Sequence, residues 1–263
     1  MASRKEQKEQ ARTRRLAEEQ ARTVRARRDR RLRMFGGAGL LAVAIVAVLI
    51  AVSSGGSSAN GLQKGKAASQ TVATVSKLLA GVPQSGATLG NPKAPVTMTY
   101  YGDLECPVCR DFTVNGGFEQ LVSNEVRAGK VQIVYKAFQT ATQDPNVFKT
   151  QQTAALAAGQ QQRFWNYTEL FYREQGAEAS GYVNDAYLTG LAAQVPGLDL
   201  SKWNGARSSA SLQTQVTTEE QAASTAGVNA TPTLVVRGAT GKQAAASGAL
   251  QYADLQKLIQ KVA

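Results

Sequence analysis

Two cysteines occur in the 263 residues of this chain, separated by two residues in Cys106-Pro107-Val108-Cys109. Thiols at that spacing can close a small disulfide. They follow an apolar, β-branched run at 96–101 and stand where a helix-like pattern opens. A helix amino end carries partial positive charge, which stabilises a thiolate. The chemistry within reach of the pair is therefore redox exchange. Pro107 suits the first turn of that helix, where its missing N–H costs nothing. In such an arrangement the first sulfur faces outward among free N–H groups and the second lies one turn inward. Cys106 is thus expected as the exposed nucleophile, titrating in the roughly 3.5–7.5 range of activated thiols, and Cys109 as the resolving thiol. Asp103 and Glu105 are anionic neighbours that oppose this lowering wherever they face the sulfur.

Other cysteine chemistries fare worse. A closed zinc site needs four ligands, and the chain has no histidine and no third cysteine. A cysteine hydrolase needs a base partner, normally histidine. Neither a metal nor a cofactor is expected. A purely structural disulfide across four residues contributes only about 2 kcal/mol of chain entropy. The tight ring also favours reduction. A bridge that stabilises weakly and breaks readily suits exchange better than reinforcement.

The elements that must hold the pair can be read from periodicity. Strands are expected at 96–101, 131–135 and 233–236, with a weak edge strand near 243–246. Asp144-Pro145 reads as an N-cap with proline at the first helical position. Helices are then expected through Val147 and Leu156, through Phe164, Tyr167 and Phe171, around Leu188 and Leu191, and through Leu212, Val216 and Ala223 to Gly227. Phe164, Trp165 and Tyr167 read as core or groove wall rather than as a cofactor box. A last helix runs from Tyr252 through Leu258 and Ile259, and a short one is expected at 68–80, ended by Gly81. Gly116-Gly117 should kink or break the helix that carries the cysteines. The order is strand, helix, strand, a helical block over about 144–227, two strands and a helix. This is an α/β fold without internal repeat.

The net charge of +11 is local. Residues 1–33 hold thirteen Lys/Arg against five Asp/Glu, a net of +8, and contain no aromatic residue. Nucleic-acid binding would need basic charge interleaved with aromatics on a folded face, so no nucleic-acid partner is expected. Residues 34–53 carry no charge and are almost wholly aliphatic at their centre. At ~1.5 Å per residue, a twenty-residue helix reaches ~30 Å, the thickness of the hydrocarbon layer. The arm in front is too long for the n-region of a signal peptide, and no A-x-A site follows. The expectation is one uncleaved transmembrane helix, N-terminus cytoplasmic and the remainder extracytoplasmic. Four regions result: a basic arm at 1–33, an anchor at 34–53, a linker with a short helix at 54–84, and a folded domain at 85–263.

The segment 96–109, ending Tyr100-Tyr101-Gly102-Asp103-Leu104-Glu105-Cys106-Pro107-Val108-Cys109, resembles the DsbA-like thiol–disulfide oxidoreductase family of thioredoxin fold. So does Gly227-Val228-Asn229-Ala230-Thr231-Pro232-Thr233-Leu234-Val235-Val236. The long helical insertion between these segments matches the DsbA-like branch. The resemblance implies a thioredoxin-like fold with a helical insertion and a cis Thr231–Pro232 bond facing the cysteines. Thr231 and Pro232 would then form a substrate-binding edge. It also implies cysteine-containing protein substrates, a membrane redox partner and a bacterial plasma-membrane location; a monomer is expected. Two positions depart from the pattern. Val108 stands where many family oxidases carry histidine, and Tyr100 stands near the place of a buried acid. The leading expectation is a disulfide oxidase. A reductase or isomerase, or a non-catalytic peptide-binding module with a structural disulfide, are the alternatives.

Overall fold

The computed structural model describes residues 61–263. In chain order the elements are α1 (Gly65–Leu79), β1 (Gln84–Ser85), β2 (Thr88–Leu89), β3 (Val96–Gly102), α2 (Pro107–Val114) and α3 (Phe118–Leu121). A π-helical turn (Val122–Val126) leads to β4 (Val131–Ala137). Then come α4 (Pro145–Gly159), α5 (Phe164–Arg173), α6 (Asp185–Gln194), α7 (Leu200–Ala206) and α8 (Ala210–Thr225). The chain ends with β5 (Thr233–Arg237), β6 (Gln243–Ser247) and α9 (Tyr252–Val262). The basic arm and the expected anchor at 34–53 lie outside the described residues. Among the described residues no helix is long and apolar enough to cross a membrane.

The sheet has the order β1-β2-β4-β3-β5-β6. β3 and β4 run parallel, from Val96 opposite Val131 to Gly102 opposite Ala137. β5 runs antiparallel to β3, with Thr233 opposite Tyr101. This register decides where chemistry can happen. The carboxyl ends of β3 and β4 and the amino end of β5 meet at one end of the sheet. Three loops must therefore emerge together: the one leading to Cys106, the one after Ala137, and the turn holding Thr231 and Pro232.

Local sequence explains most boundaries. Asp144 caps α4 through Asn146 N–H at 2.7 Å, with Pro145 in the first turn. Asn184 caps α6 through Tyr187 N–H at 2.9 Å, and Asp199 caps α7 through Lys202 N–H at 3.0 Å. Past the end of α8, Gly227 takes φ +77°, a left-handed conformation that glycine adopts without steric cost. The alternation of β3 puts Val96, Met98 and Tyr100 on a buried face. There the Tyr100 ring meets Phe112 of α2 edge-on at 5.4 Å between centroids, and Tyr135 of β4 at 5.3 Å. Phe118 stacks on Trp165 of α5 at 5.5 Å. This aromatic layer joins the cysteine-bearing helix to both the sheet and the helical block.

Several details differ from the sequence expectation. The first helix begins at Gly65 and ends at Leu79 rather than covering 68–80. The cysteine helix breaks between Val114 and Phe118, as the glycine pair suggested, but the reason is close approach. A Cβ on Gly117 would lie 2.5 Å from the backbone nitrogen of Tyr252, and Gly117 N–H donates to the Leu250 carbonyl at 2.8 Å. The β1–β2 hairpin, the π-helical turn and α7 were absent from the expectation.

Candidate functional site

Cys106 is the N-cap of α2, and its sulfur accepts from Cys109 N–H at 3.4 Å. The loop before it turns tightly, with Cys106 N–H donating to the Asp103 carbonyl at 3.1 Å. The Thr231–Pro232 peptide is cis. The turn presents the Thr231 carbonyl to the Cys106 thiol, which donates to it at 3.4 Å. The residues singled out from sequence are thus brought together: Cys106, Pro107 and Cys109 on α2, with Thr231 and Pro232 opposite. Both cysteines are free thiols.

Exposure is the correction. Cys106 was expected to face solvent, yet it is 4 % exposed and Cys109 is 0 % exposed. The Thr231 turn lies against the first sulfur, and the second sits on the buried face of α2 with Phe112 and Thr113. Pro107 and Val108, the latter at 43 % exposure, are the side chains that project from the motif.

The two thiols differ sharply in acidity. Cys106 is lowered from 9.0 to about 6, first by a hydrogen bond from the Cys109 thiol. Burial opposes this, while the Thr231 side chain and the N–H groups of Cys109 and Val108 assist it. Cys109 is pushed well up by burial, and then by the sulfur of Cys106 through both a hydrogen bond and its charge. At neutral pH the Cys106 sulfur is ionised and its neighbour holds a proton.

The acidic neighbours do not oppose this as feared. Asp103 is fully buried, and its carboxylate is taken up by the loop after β4. It accepts from the N–H groups of Thr140 at 2.9 Å, Ala141 at 2.8 Å and Thr142 at 2.9 Å. The Thr142 hydroxyl at 2.6 Å and Glu105 N–H at 3.1 Å complete the set. Glu105 is buried too, and burial raises its pKa above the usual carboxylate range.

Sequence reasoning missed three supporting residues. Thr140 Oγ1 hydrogen-bonds Thr231 Oγ1, tying the β4–α4 loop to the proline turn. Thr142 Oγ1 binds Asp103 and also accepts from Gln151 Nε2 at 2.7 Å. Gln175, just past α5, donates from Nε2 to the carbonyls of Leu104 at 2.7 Å and Cys106 at 3.2 Å. Beneath Cys109, where a buried acid was looked for, Tyr100 donates to Tyr172 Oη at 3.2 Å. Among the described residues, no cluster of three or more His, Cys, Asp or Glu is placed to hold a metal.

A helix-capping thiolate, a partner thiol one turn deeper and a cis-proline turn at the same end of the sheet define a thiol–disulfide oxidoreductase of thioredoxin fold. The chain belongs to the thioredoxin family, whose model, described as Thioredoxin, matches residues 84–261. A probable disulfide bond formation protein D of Bacillus anthracis is 23% identical over 158 residues, 57% of this chain and 69% of that protein. A Na(+)/H(+) antiporter NhaA 1 of Mycolicibacterium gilvum (strain PYR-GCK) is 34% identical over 163 residues. That match covers 59% of this chain, which spans 24% of the antiporter's length. Among solved structures, oxidised BdbD from Bacillus subtilis has TM-score 0.58 at 20% identity, covering 70% of this chain and 96% of that one. Wolbachia pipientis alpha-DsbA1 has TM-score 0.56 at 18% identity, covering 70% and 92%. These two likenesses establish the fold.

Proposed function

We propose that this protein is a disulfide oxidase acting outside the cytoplasm on secreted or membrane proteins that carry cysteines. The observation that carries the reading is the Cys106 sulfur at the cap of its helix, 3.4 Å from Cys109 N–H and 3.4 Å from the Thr231 carbonyl of the cis-proline turn. In the oxidised protein a substrate thiolate attacks Cys106 Sγ, the Cys106–Cys109 bond breaks, and Cys109 leaves and takes a proton. A second substrate thiolate then attacks the substrate sulfur of the mixed disulfide, releasing Cys106 as a stable thiolate. The substrate loses two electrons and two protons and gains a disulfide; the protein is left reduced, with Cys109 a thiol and Cys106 a thiolate, and the second proton passes to solvent. A disulfide- or quinone-bearing membrane partner returns it to the oxidised state.

Thr231 and Pro232 form the edge on which the substrate backbone lies, and exposed Val108 forms the opposite lip. Pro107 fixes the first turn that presents Cys106. The relatives named disulfide bond formation proteins support the oxidative direction. The apolar run at 34–53 behind a basic arm supports a single-pass bacterial plasma-membrane anchor with this domain outside.

The test is Cys109→Ala in the full-length chain. Cys106 then attacks substrate disulfides but cannot be displaced from within. Mixed disulfides should accumulate on non-reducing gels and disappear with dithiothreitol. Absence of such adducts, with Cys106 alkylatable, would refute the exchange reaction.

A further inference from the structure

One face of the domain carries charge that the exchange reaction does not use. Two cavities, of about 300 and 550 Å³, meet at Thr74 and make one groove along α1. α1 forms one wall, through Thr71, Thr74 and Lys77. Arg110 of α2 and Arg127, just past the π-helical turn, stand on the other. Arg173, the last residue of α5 and 12 % exposed, lies at the floor. Four cations therefore face one groove, and Glu119 is the one carboxylate among its lining residues.

These cations have little counter-charge. Arg173 Nη2 donates to Glu119 at 2.6 Å, which occupies that carboxylate. Glu169 lies 3.5 Å from the same nitrogen, but burial raises its pKa to about 8, so at pH 7 it is mostly protonated. Arg173 Nε is buried with no hydrogen-bond acceptor. Arg127 donates to the carbonyls of Leu78, at 2.8 Å, and Ala80, which leaves its charge unneutralised. Among the described residues no hydrogen bond or ion pair holds the side chains of Arg110 and Lys77, and both are exposed.

The groove begins beside the reacting sulfur. Arg110 N–H donates to the Cys106 carbonyl at 3.1 Å, so the two residues are one turn of α2 apart, ~6 Å along its axis. From Ala67 to Lys77 the α1 wall is ~15 Å long, the span of about five extended residues at ~3.3 Å each. Gln70, Thr71 and Thr74 line it with amide and hydroxyl groups that suit a peptide backbone. A bilayer surface would meet the rim but not Arg173 at the floor. The chain's own outlying residues do not match, since 1–33 carry a net +8 and 34–60 hold no carboxylate. We infer that this groove docks an acidic, extended segment of the protein substrate, starting about two residues from the cysteine that reacts with Cys106.

The inference rests on the reading of Cys106 as the exchanging sulfur, and the experiment separates the two. The oxidised full-length chain in uncharged micelles is mixed with dithiol peptides that differ only in their tail. Each tail follows the cysteines after two glycines and is five glutamates or five glutamines. Peptide disulfide is counted by chromatography after acid quench, and binding is read as anisotropy of labelled, cysteine-free tails. Wild type should oxidise the glutamate peptide about fivefold faster, as two exposed ion pairs at a little over twofold each would give. The preference should shrink towards unity at about 1 M salt. Lys77→Glu and Arg110→Glu, both at exposed positions, should each lose most of it. Lys242→Glu makes the same charge change where β5 and β6 turn, at the end of the sheet away from Pro232, and should keep it. Equal rates for the two peptides in wild type, or an equal loss in Lys242→Glu, would overturn the proposal. So would binding of soluble dihexanoyl-phosphatidylglycerol, sensitive to Lys77→Glu, without binding of the glutamate tail; that result assigns the groove to lipid. Tail binding with neither peptide oxidised would instead remove the exchange reading and leave the docking surface standing.

Discussion

The acidity of Cys106 sets how the reduction potential must vary with pH. Folding lowers this thiol from 9.0 to about 6. Three units amount to about 4 kcal/mol of preference for the thiolate when fully expressed, at most, since water at the mouth of the site screens part of it. The sign follows from linkage. A depressed pKa stabilises the folded, reduced protein fully above pH 9, and the contribution vanishes as pH falls through 6. At pH 7 about 1.4 kcal/mol remains, which raises a two-electron potential by about 30 mV relative to an unperturbed thiol. Below pH 6 reduction takes up two protons with two electrons, so the potential should fall by about 59 mV per pH unit. Above it only Cys109 binds a proton, because burial holds that thiol up. The slope should therefore halve to about 30 mV per unit. Equilibration of the full-length chain with glutathione couples at half-unit steps from pH 4.5 to 8.5, corrected for the couple's own proton uptake, reads this directly. A single slope near 59 mV through pH 8 would show Cys106 protonated there and defeat the argument.

Three other outcomes are expected. Glu169 is fully buried with Arg173 Nη2 3.5 Å from one carboxylate oxygen, and burial outweighs that cation and raises its pKa to about 8. Its stabilising effect is complete below pH 4.5 and lost as pH rises through 8, so Glu169→Gln should flatten the decline of the urea midpoint between pH 5 and 8.5. Gly117→Ala should cost about 1–3 kcal/mol, seen as a lower Tm, because its Cβ meets backbone of the segment opening α9. Gln175→Leu removes the donor to the Leu104 and Cys106 carbonyls and should cost about 1–2 kcal/mol while slowing insulin reduction; an unchanged rate would show that the clamp does not position the motif.

What was legible in the sequence was whatever depends on near neighbours. Cys106, Pro107 and Cys109 announce themselves by spacing, and Asp144-Pro145 by capping chemistry. The strands at 96, 131 and 233 follow from β-branched and aromatic runs. Thr231 and Pro232 entered through family resemblance. Thr140, Thr142 and Gln175 carry no local signal, because they act on groups 39 to 91 positions away through contacts that the sheet register creates. The β1–β2 hairpin is two residues per strand, too short for alternation to show. Gly117 was read as a weakness in a helix, whereas it is the point where two backbones touch. Burial of Cys106 could not be foreseen from its helix position, since the cover comes from a turn 125 residues later.

That cover bears on survival under oxidative stress. A peroxide that reaches Cys106 converts it to a sulfenic acid, the last reversible rung before sulfinic and sulfonic products. Cys109 lies one helical turn away with its proton retained, and Thr231 screens the other flank. Condensation with Cys109, whose sulfur displaces water as it gives up its proton, then returns the pair to a Cys106–Cys109 disulfide.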